Sequence, residues 1–226
     1  MYQRKRVTAV VLAAGNGSRM GILANKVCLP LNERIIIEHA LGAFARHPYV
    51  DELVLVARQD EFPEMETLAA AQTKPVRVVL GGETRQESVY NAISDVKSKV
   101  VLVHDGARPL IGEACITACV EALSQYDGVI PALSVEEQVC CLKNRYVKPQ
   151  LLTGSLYGVQ TPQCFYTKIL RRCHERHRKN PVATDDSSLL ELEGYKVGIV
   201  AGDPANIKIT TPLDYLAAQA YLDRVE

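Results

Sequence analysis

The stretch Val7-Thr-Ala-Val-Val-Leu12-Ala-Ala-Gly15-Asn-Gly-Ser-Arg19-Met20-Gly21 decides the fold. Residues 7–13 are apolar with little polar alternation, the pattern of a strand whose sheet is covered on both faces. The run empties into small residues and glycines, which let a backbone approach a ligand closely and leave successive amides free to surround an anion. Lys26 follows shortly after, so Arg19 and Lys26 bring two cations to this loop. A strand ending in such a loop predicts an α/β sheet with a phosphate site at its carboxyl edge.

The commoner nucleotide loops are excluded by spacing. No Gly-Lys-Ser/Thr follows, so this is not a Walker loop. Met20 stands where a dinucleotide fingerprint needs its third glycine, and the second strand runs on to Arg58 with no acid at its end.

Outward from this loop, apolar runs at 53–56, 76–80, 100–104, 128–132 and 197–200 alternate with helical patterns. This predicts one domain over residues 1–226: a Rossmann-like, mostly parallel sheet flanked by helices. One helix is expected over 34–46, from the spacing of Ile36, Ile37, Ala40, Leu41 and Phe44. Another opens at Thr84-Arg-Gln-Glu87, a capping-box pattern, and the last at Thr211-Pro212. Residues 134–155 carry no helical stripe and read as an extended excursion, either a loop or an arm that pairs with a partner.

Composition narrows the function. With 47% hydrophobic residues among 226, a sizeable core can form without staples. Lysine plus arginine equals aspartate plus glutamate at 26 each, so no overall basic field exists for nucleic acid, and any anion site is local. The apolar stretch after Arg4-Lys5-Arg6 is too short for a signal peptide, and no run approaches the roughly 20 residues that span a bilayer. The seven cysteines include no CxxC pair, which fits a reducing, cytoplasmic setting; Cys115 and Cys119 read as helix packing.

Three more segments follow apolar runs, where open α/β sheets present their ligand crevice: Gly81-Gly82-Glu83-Thr84-Arg85-Gln86-Glu87-Ser88, His104-Asp105-Gly106-Ala107-Arg108-Pro109 and Asn206-Ile207-Lys208-Ile209-Thr210. Asp105 suits a hydroxyl or a divalent ion, and Arg108 an anionic group or a local pair with Asp105. His104 reads as packed at its strand end. Lys208 projects alone from an apolar alternation, and Thr184-Asp185-Asp186-Ser187-Ser188 caps a short helix or orients a metal or a lysine.

Together these segments resemble the 2-C-methyl-D-erythritol 4-phosphate cytidylyltransferases. The resemblance runs from Ala13-Ala14-Gly15 through Gly81-Gly82-Glu83, His104-Asp105, Ala107-Arg108-Pro109, Gln160-Thr161-Pro162-Gln163 and Ala183-Thr184-Asp185 to Asn206-Ile207-Lys208. It implies a magnesium-dependent attack of a polyol phosphate on the α-phosphate of CTP, in which charge is neutralised around a crowded phosphorus.

The resemblance makes Lys26, Lys208 and Arg19 catalytic. Ala13, Ala14, Gly15, Asn16, Gly17, Ser18, Gly82, Glu83, Ser88 and Asp105 become the CTP side. Asp105, Arg108 and Thr161 become the acceptor side, with Asp105 a metal ligand. The excursion becomes the arm of a homodimer. That arm departs from the family pattern: Ser134-Val135 replaces an Asp-Thr pair, Glu136-Glu137 follows in place of a basic residue, and Thr153 replaces an arginine. Lys143, Arg145 and Lys148 are the basic residues near enough to stand in. The related ribitol-5-phosphate cytidylyltransferases share the CTP half and give a second acceptor, which Thr153 does not favour; the changed arm motivates a third reading, a nucleotide-binding paralogue without turnover.

Overall fold

The computed structural model describes residues 1–15, 25–137, 139–140, 142–147, 156–178 and 183–225. The first half of the chain runs β1 (Val7–Leu12), β2 (Pro30–Leu31), β3 (Arg34–Ile35), α1 (Ile36–Arg46), β4 (Glu52–Ala57), α2 (Phe62–Ala70), β5 (Val76–Leu80), α3 (Arg85–Ile93) and β6 (Val100–Asp105). It continues with α4 (Glu113–Ala122), β7 (Gly128–Ser134), β8 (Leu142–Lys143), β9 (Tyr146–Val147), β10 (Tyr157–Val159), β11 (Gln163–Tyr166), α5 (Thr167–Arg176), α6 (Asp186–Leu192), β12 (Val197–Ala201) and α7 (Pro212–Val225).

The apolar runs are strands of one sheet, as their sequence predicts. β5, β4, β1 and β6 lie side by side and parallel, and β12 pairs parallel with β7. Along β1, Ala9 and Val11 pack with Ile37, Leu41 and Phe44 of α1 and Ile116 of α4. Val10 faces the other way, among Val89 and Ile93 of α3 and Leu170 of α5. Both sheet faces are thus covered, which is why the strand sequences carry no polar alternation. Each such buried Ile, Leu or Phe contributes roughly 1.5–3 kcal/mol.

The sheet also contains what the sequence pattern hides. β11 is antiparallel and wedged between β6 and β7, so those two are not neighbours. Its four residues follow Thr161-Pro162, and a proline reads as a breaker while the run is too short to show a period. β10 and β11 share one edge of β7: Ala132 pairs with Val159 and Val129 with Cys164, while β12 takes the other edge.

Helix α1 starts two residues later than its periodicity suggests. Arg34 and Ile35 pair instead with Leu31 and Pro30 across a turn in which Asn32 has φ 52°. The Glu38 carboxylate then accepts the Ile35 amide at 2.8 Å and opens the helix. The excursion begins with β7 running out to Ser134. β8 and β9 form a separate two-stranded hairpin whose tip residues Asn144 and Arg145 have φ 50° and 67°, the positive values a two-residue hairpin turn requires. Val135 donates to Leu156 at 3.0 Å where the chain returns to β10.

Candidate active site

β1 sits between β4, the next strand of the main sheet, and β6, so the sheet's strand order switches at its carboxyl end. A crevice forms at such a point. Here four strand ends are stitched together: the Ala13 amide donates to Val56 O at 2.8 Å, Gly81 to Ala57 O at 2.9 Å and Gly106 to Leu12 O at 2.9 Å. A cleft of about 670 Å³ opens above them, and Ala14, Gly15, Lys26, Gly82, Glu83, Arg85, Ser88, Asp105 and Lys208 are among its lining residues.

The loops come this close because two positions lack side chains. A Cβ on Gly81 would sit 2.5 Å from the Ala14 Cβ, and one on Gly106 would sit 2.7 Å from the Leu12 carbonyl oxygen. Ser88 Oγ accepts the Gly82 amide at 3.0 Å, and the Glu87 carboxylate accepts the Glu83 amide at 2.8 Å. Thr84 caps α3 as its sequence predicts, accepting from the Glu87 amide at 3.1 Å; the reciprocal carboxylate bond falls on Glu83 rather than Thr84.

Lys26 enters the cleft on a 3-10 turn held by buried Asn25. That side chain donates to Ala13 O at 2.6 Å and to Glu61 at 2.7 Å, which fixes where the chain re-emerges below the sheet end. Ala13 is itself buried, with its amide and carbonyl both engaged, so it supports the cleft from behind rather than lining it. Asn16, Gly17, Ser18 and Arg19 lie outside the described residues.

Asp105 is the electrostatic centre. Its Oδ2 lies 2.7 Å from Lys208 Nζ and 3.9 Å from Arg108 Nε, and its Oδ1 3.5 Å from Arg85 Nε. Burial alone would raise its pKa, but the Arg85, Lys208 and Arg108 charges outweigh that and hold the carboxyl well below the usual carboxylate range. Arg85 reaches past it to Asp186, at 2.7 Å. The cleft is lined by Lys26, Arg58, Arg85 and Lys208 against Asp60, Glu83 and Asp105. A chain of zero net charge concentrates local positive charge where a polyanion fits.

The lysine that binds Asp105 is on an irregular segment, not on a strand. Ile209 donates to Ala107 O at 2.8 Å, and Asn206 Nδ2 to Thr161 O at 2.8 Å. Arg108 donates to Asn206 O at 2.7 Å. These bonds explain why segments a hundred residues apart converge. Burial pulls Arg108 below its ordinary pKa, with Asp105 opposing, and its Nε finds no hydrogen-bond partner.

His104 is packed, as expected. Its Nε2 donates to Arg108 O at 3.0 Å, so Nδ1 accepts the Thr161 hydroxyl at 3.0 Å, and the Thr161 oxygen in turn accepts the Asp105 amide at 3.1 Å. Burial brings the ring's pKa down to about 4, keeping it neutral in this role. Thr161 is thereby occupied behind Asp105. Neither it nor Arg108 is among the cleft-lining residues, so in this geometry both support Asp105 from behind.

The residues match the family profile described as 2-C-methyl-D-erythritol 4-phosphate cytidylyltransferase over positions 7–224. The chain belongs to this family. A cytidylyltransferase of that description from Clostridium beijerinckii is 37% identical over 97% of this chain and 99% of its own length, and one from Bacillus pumilus is 40% identical over 95% and 96%. The crystal structure of 4-diphosphocytidyl-2C-methyl-D-erythritol synthase from Anaerococcus prevotii superposes with a TM-score of 0.87 at 31% identity, covering 97% of this chain and 99% of that one.

Membership makes the protein a nucleotidyltransferase with an α/β sheet, as the motifs predict. No described helix is long and apolar enough to cross a membrane. The described residues hold no cluster of three or more His, Cys, Asp or Glu side chains suited to a metal. Asp105 is the acid beside Lys208, and it is already paired. One carboxylate suits a magnesium ion carried mainly by triphosphate oxygens, not a dedicated protein cage. Asp186, read from the sequence as part of a cap or as orienting a metal or a lysine, is instead paired with Arg85, a contact the sequence does not show.

Proposed function

We propose that the protein joins CTP and 2-C-methyl-D-erythritol 4-phosphate, giving the CDP-polyol and pyrophosphate. The observation that carries this is the meeting of Lys26, Arg85, Asp105 and Lys208 around one cleft at the sheet's switch point, in a chain that matches the family over residues 7–224. An oxygen of the acceptor phosphate attacks the α-phosphorus. The bond to the bridging oxygen breaks, and pyrophosphate leaves with the electron pair. No protein nucleophile is required; the work is orientation and charge neutralisation.

Ala14, Gly82, Glu83 and Ser88 take the cytosine end, where fixed backbone groups read the base edge. Lys26 and Lys208 face the phosphates, with Asp105 orienting Lys208 and a hydroxyl of one substrate. Magnesium supplies further positive charge on the triphosphate when bound. The hairpin of β8 and β9 with the return strand β10 serves as a dimerisation arm; Tyr146, Val147 and Tyr157 are exposed apolar groups on it. The protein works in the cytoplasm, which the free thiols Cys28, Cys140 and Cys173 suit.

Pyrophosphate release with CTP, magnesium and a panel of polyol phosphates tests the proposal. Turnover with methylerythritol phosphate is expected. Turnover with ribitol 5-phosphate alone, or none with any acceptor, contradicts it.

A further inference from the structure

We propose that Arg85 is a positioning residue of the transfer reaction, holding the Asp105 carboxylate in place through a chain that runs from buried His174 and Asp186 through Arg85, at the cleft, to Asp105. The assignment rests on the cytidylyltransferase reading of the cleft.

The chain is continuous. His174 Nε2 donates to Asp186 Oδ1 at 3.0 Å, and Arg85 donates through one terminal nitrogen to Asp186 Oδ2 at 2.7 Å. The Arg85 Nε, on the same planar fork, lies 3.5 Å from Asp105 Oδ1. His174 and Asp186 are both 1% exposed, so the anchor is rigid and shielded from salt and water. Burial opposes the charge on Asp186, and Arg85 and His174 overcome it and keep the carboxyl below its ordinary range.

The local sequence builds this anchor separately from the cleft. Asp185 caps α6 by accepting the Ser188 amide at 2.9 Å, and Gln163 donates to Asp185 at 2.6 Å while accepting from the Ser187 amide at 3.1 Å. Asp186 is therefore placed by the cap and by β11 at once. It faces an arginine from α3.

A fork is needed here because one side chain must serve two carboxylates in fixed directions. Asp105 is pulled on its Oδ2 side by Lys208 and Arg108. Without Arg85 on the Oδ1 side, the carboxylate is free to rotate toward these cations and neutralise Lys208 more fully. Lys208 is then less available to phosphate. Arg85 thus partitions Asp105 between holding Lys208 in place and leaving it charged toward substrate.

The experiment compares Arg85→Met, Arg85→Lys and Asp186→Asn with the parent chain, by steady-state rates and by calorimetric binding of CTP and of the acceptor phosphate separately. Arg85→Met is expected to lower kcat about 100-fold and weaken acceptor binding about tenfold, with CTP affinity changed less than about threefold. Arg85→Lys keeps the charge but not the fork, and recovers about tenfold of kcat. Asp186→Asn moves the same quantities in the same direction by less. A purely structural role would lower the folded fraction and leave both affinities of the folded remainder unchanged, and that result overturns the proposal. So does parent-like acceptor binding and kcat in Arg85→Met and Asp186→Asn. Should Arg85→Met fail to fold, parent-like values in Arg85→Lys and Asp186→Asn together overturn it. A parent chain that binds both ligands without turnover defeats the proposed function alone, because the binding comparison still reports on Arg85.

Discussion

Lys208 and Asp105 stand 103 positions apart in the chain and 2.7 Å apart in the fold, lysine Nζ to carboxylate Oδ2. The contact exists because Ile209 is hydrogen-bonded to Ala107 and Asn206 to Thr161, which dock the segment after β12 against the end of β6. It makes Asp105 the hinge between the phosphate side and the rest of the site.

Removing either lysine should therefore disable chemistry while sparing the fold. Lys26→Ala and Lys208→Ala are each expected to lower kcat by about 100-fold or more, the scale of losing a charge aimed at a transition state. Lys208 is 36% exposed on its side chain, so its loss leaves little buried volume empty. Unfolding curves alongside initial rates check this, and near-parent turnover in both variants would contradict the assigned roles.

The neutral His104 makes stability depend on pH. Its folded pKa is lowered from 6.5 to about 4 by burial, so between those values the unfolded chain binds the extra proton and the folded one does not. Stability is therefore fully present above pH 6.5 and is lost as pH falls toward 4. The loss from this group is on the order of 3 kcal/mol. Titration of the ring by NMR should show the proton on Nε2 and a midpoint near 4. A midpoint at or above the unperturbed value would refute the packing described.

Gly106 is a steric requirement, since a Cβ there would meet the Leu12 carbonyl at 2.7 Å and the Ile37 side chain at 2.5 Å. Gly106→Ala is expected to destabilise by about 1–3 kcal/mol through overpacking, and to weaken CTP binding because the β1 and β6 ends must separate. Urea midpoints and calorimetry measure both effects. A variant with parent stability and affinity would show that the close approach has no function.

The arm can be removed cleanly because Val135 and Leu156 already meet through a 3.0 Å hydrogen bond. Joining them by an Asn-Gly turn should leave the sheet intact and convert a dimer into a monomer of about half its mass. Sedimentation equilibrium measures this. An unchanged mass would rule the arm out as the dimer contact.

Much of this was legible in the sequence because the decisive features are local. Buried parallel strands carry unbroken apolar runs, and Thr84, Thr211-Pro212 and the glycine loops announce themselves by residue type. Lys26 was readable as a site residue because it stands just beyond the glycine loop, and Asp105 because it ends a strand. β11 was not, because four residues after a proline show no period. Arg85 and Asp186 each stand in a segment the sequence singles out, but their pairing was not legible, because nothing local shows that a 101-residue separation is closed by a 2.7 Å contact. The arm's departures at Val135 and Thr153 were visible in the sequence, and Thr153 lies outside the described residues.

The most direct test of the central claim is pyrophosphate release from CTP with 2-C-methyl-D-erythritol 4-phosphate and magnesium, followed for the parent chain and for Lys208→Ala side by side. The account predicts turnover by the parent that depends on both substrates and falls by about 100-fold or more in the variant. Release that is equal in the two proteins, or absent from the parent at any concentration of acceptor, would contradict it.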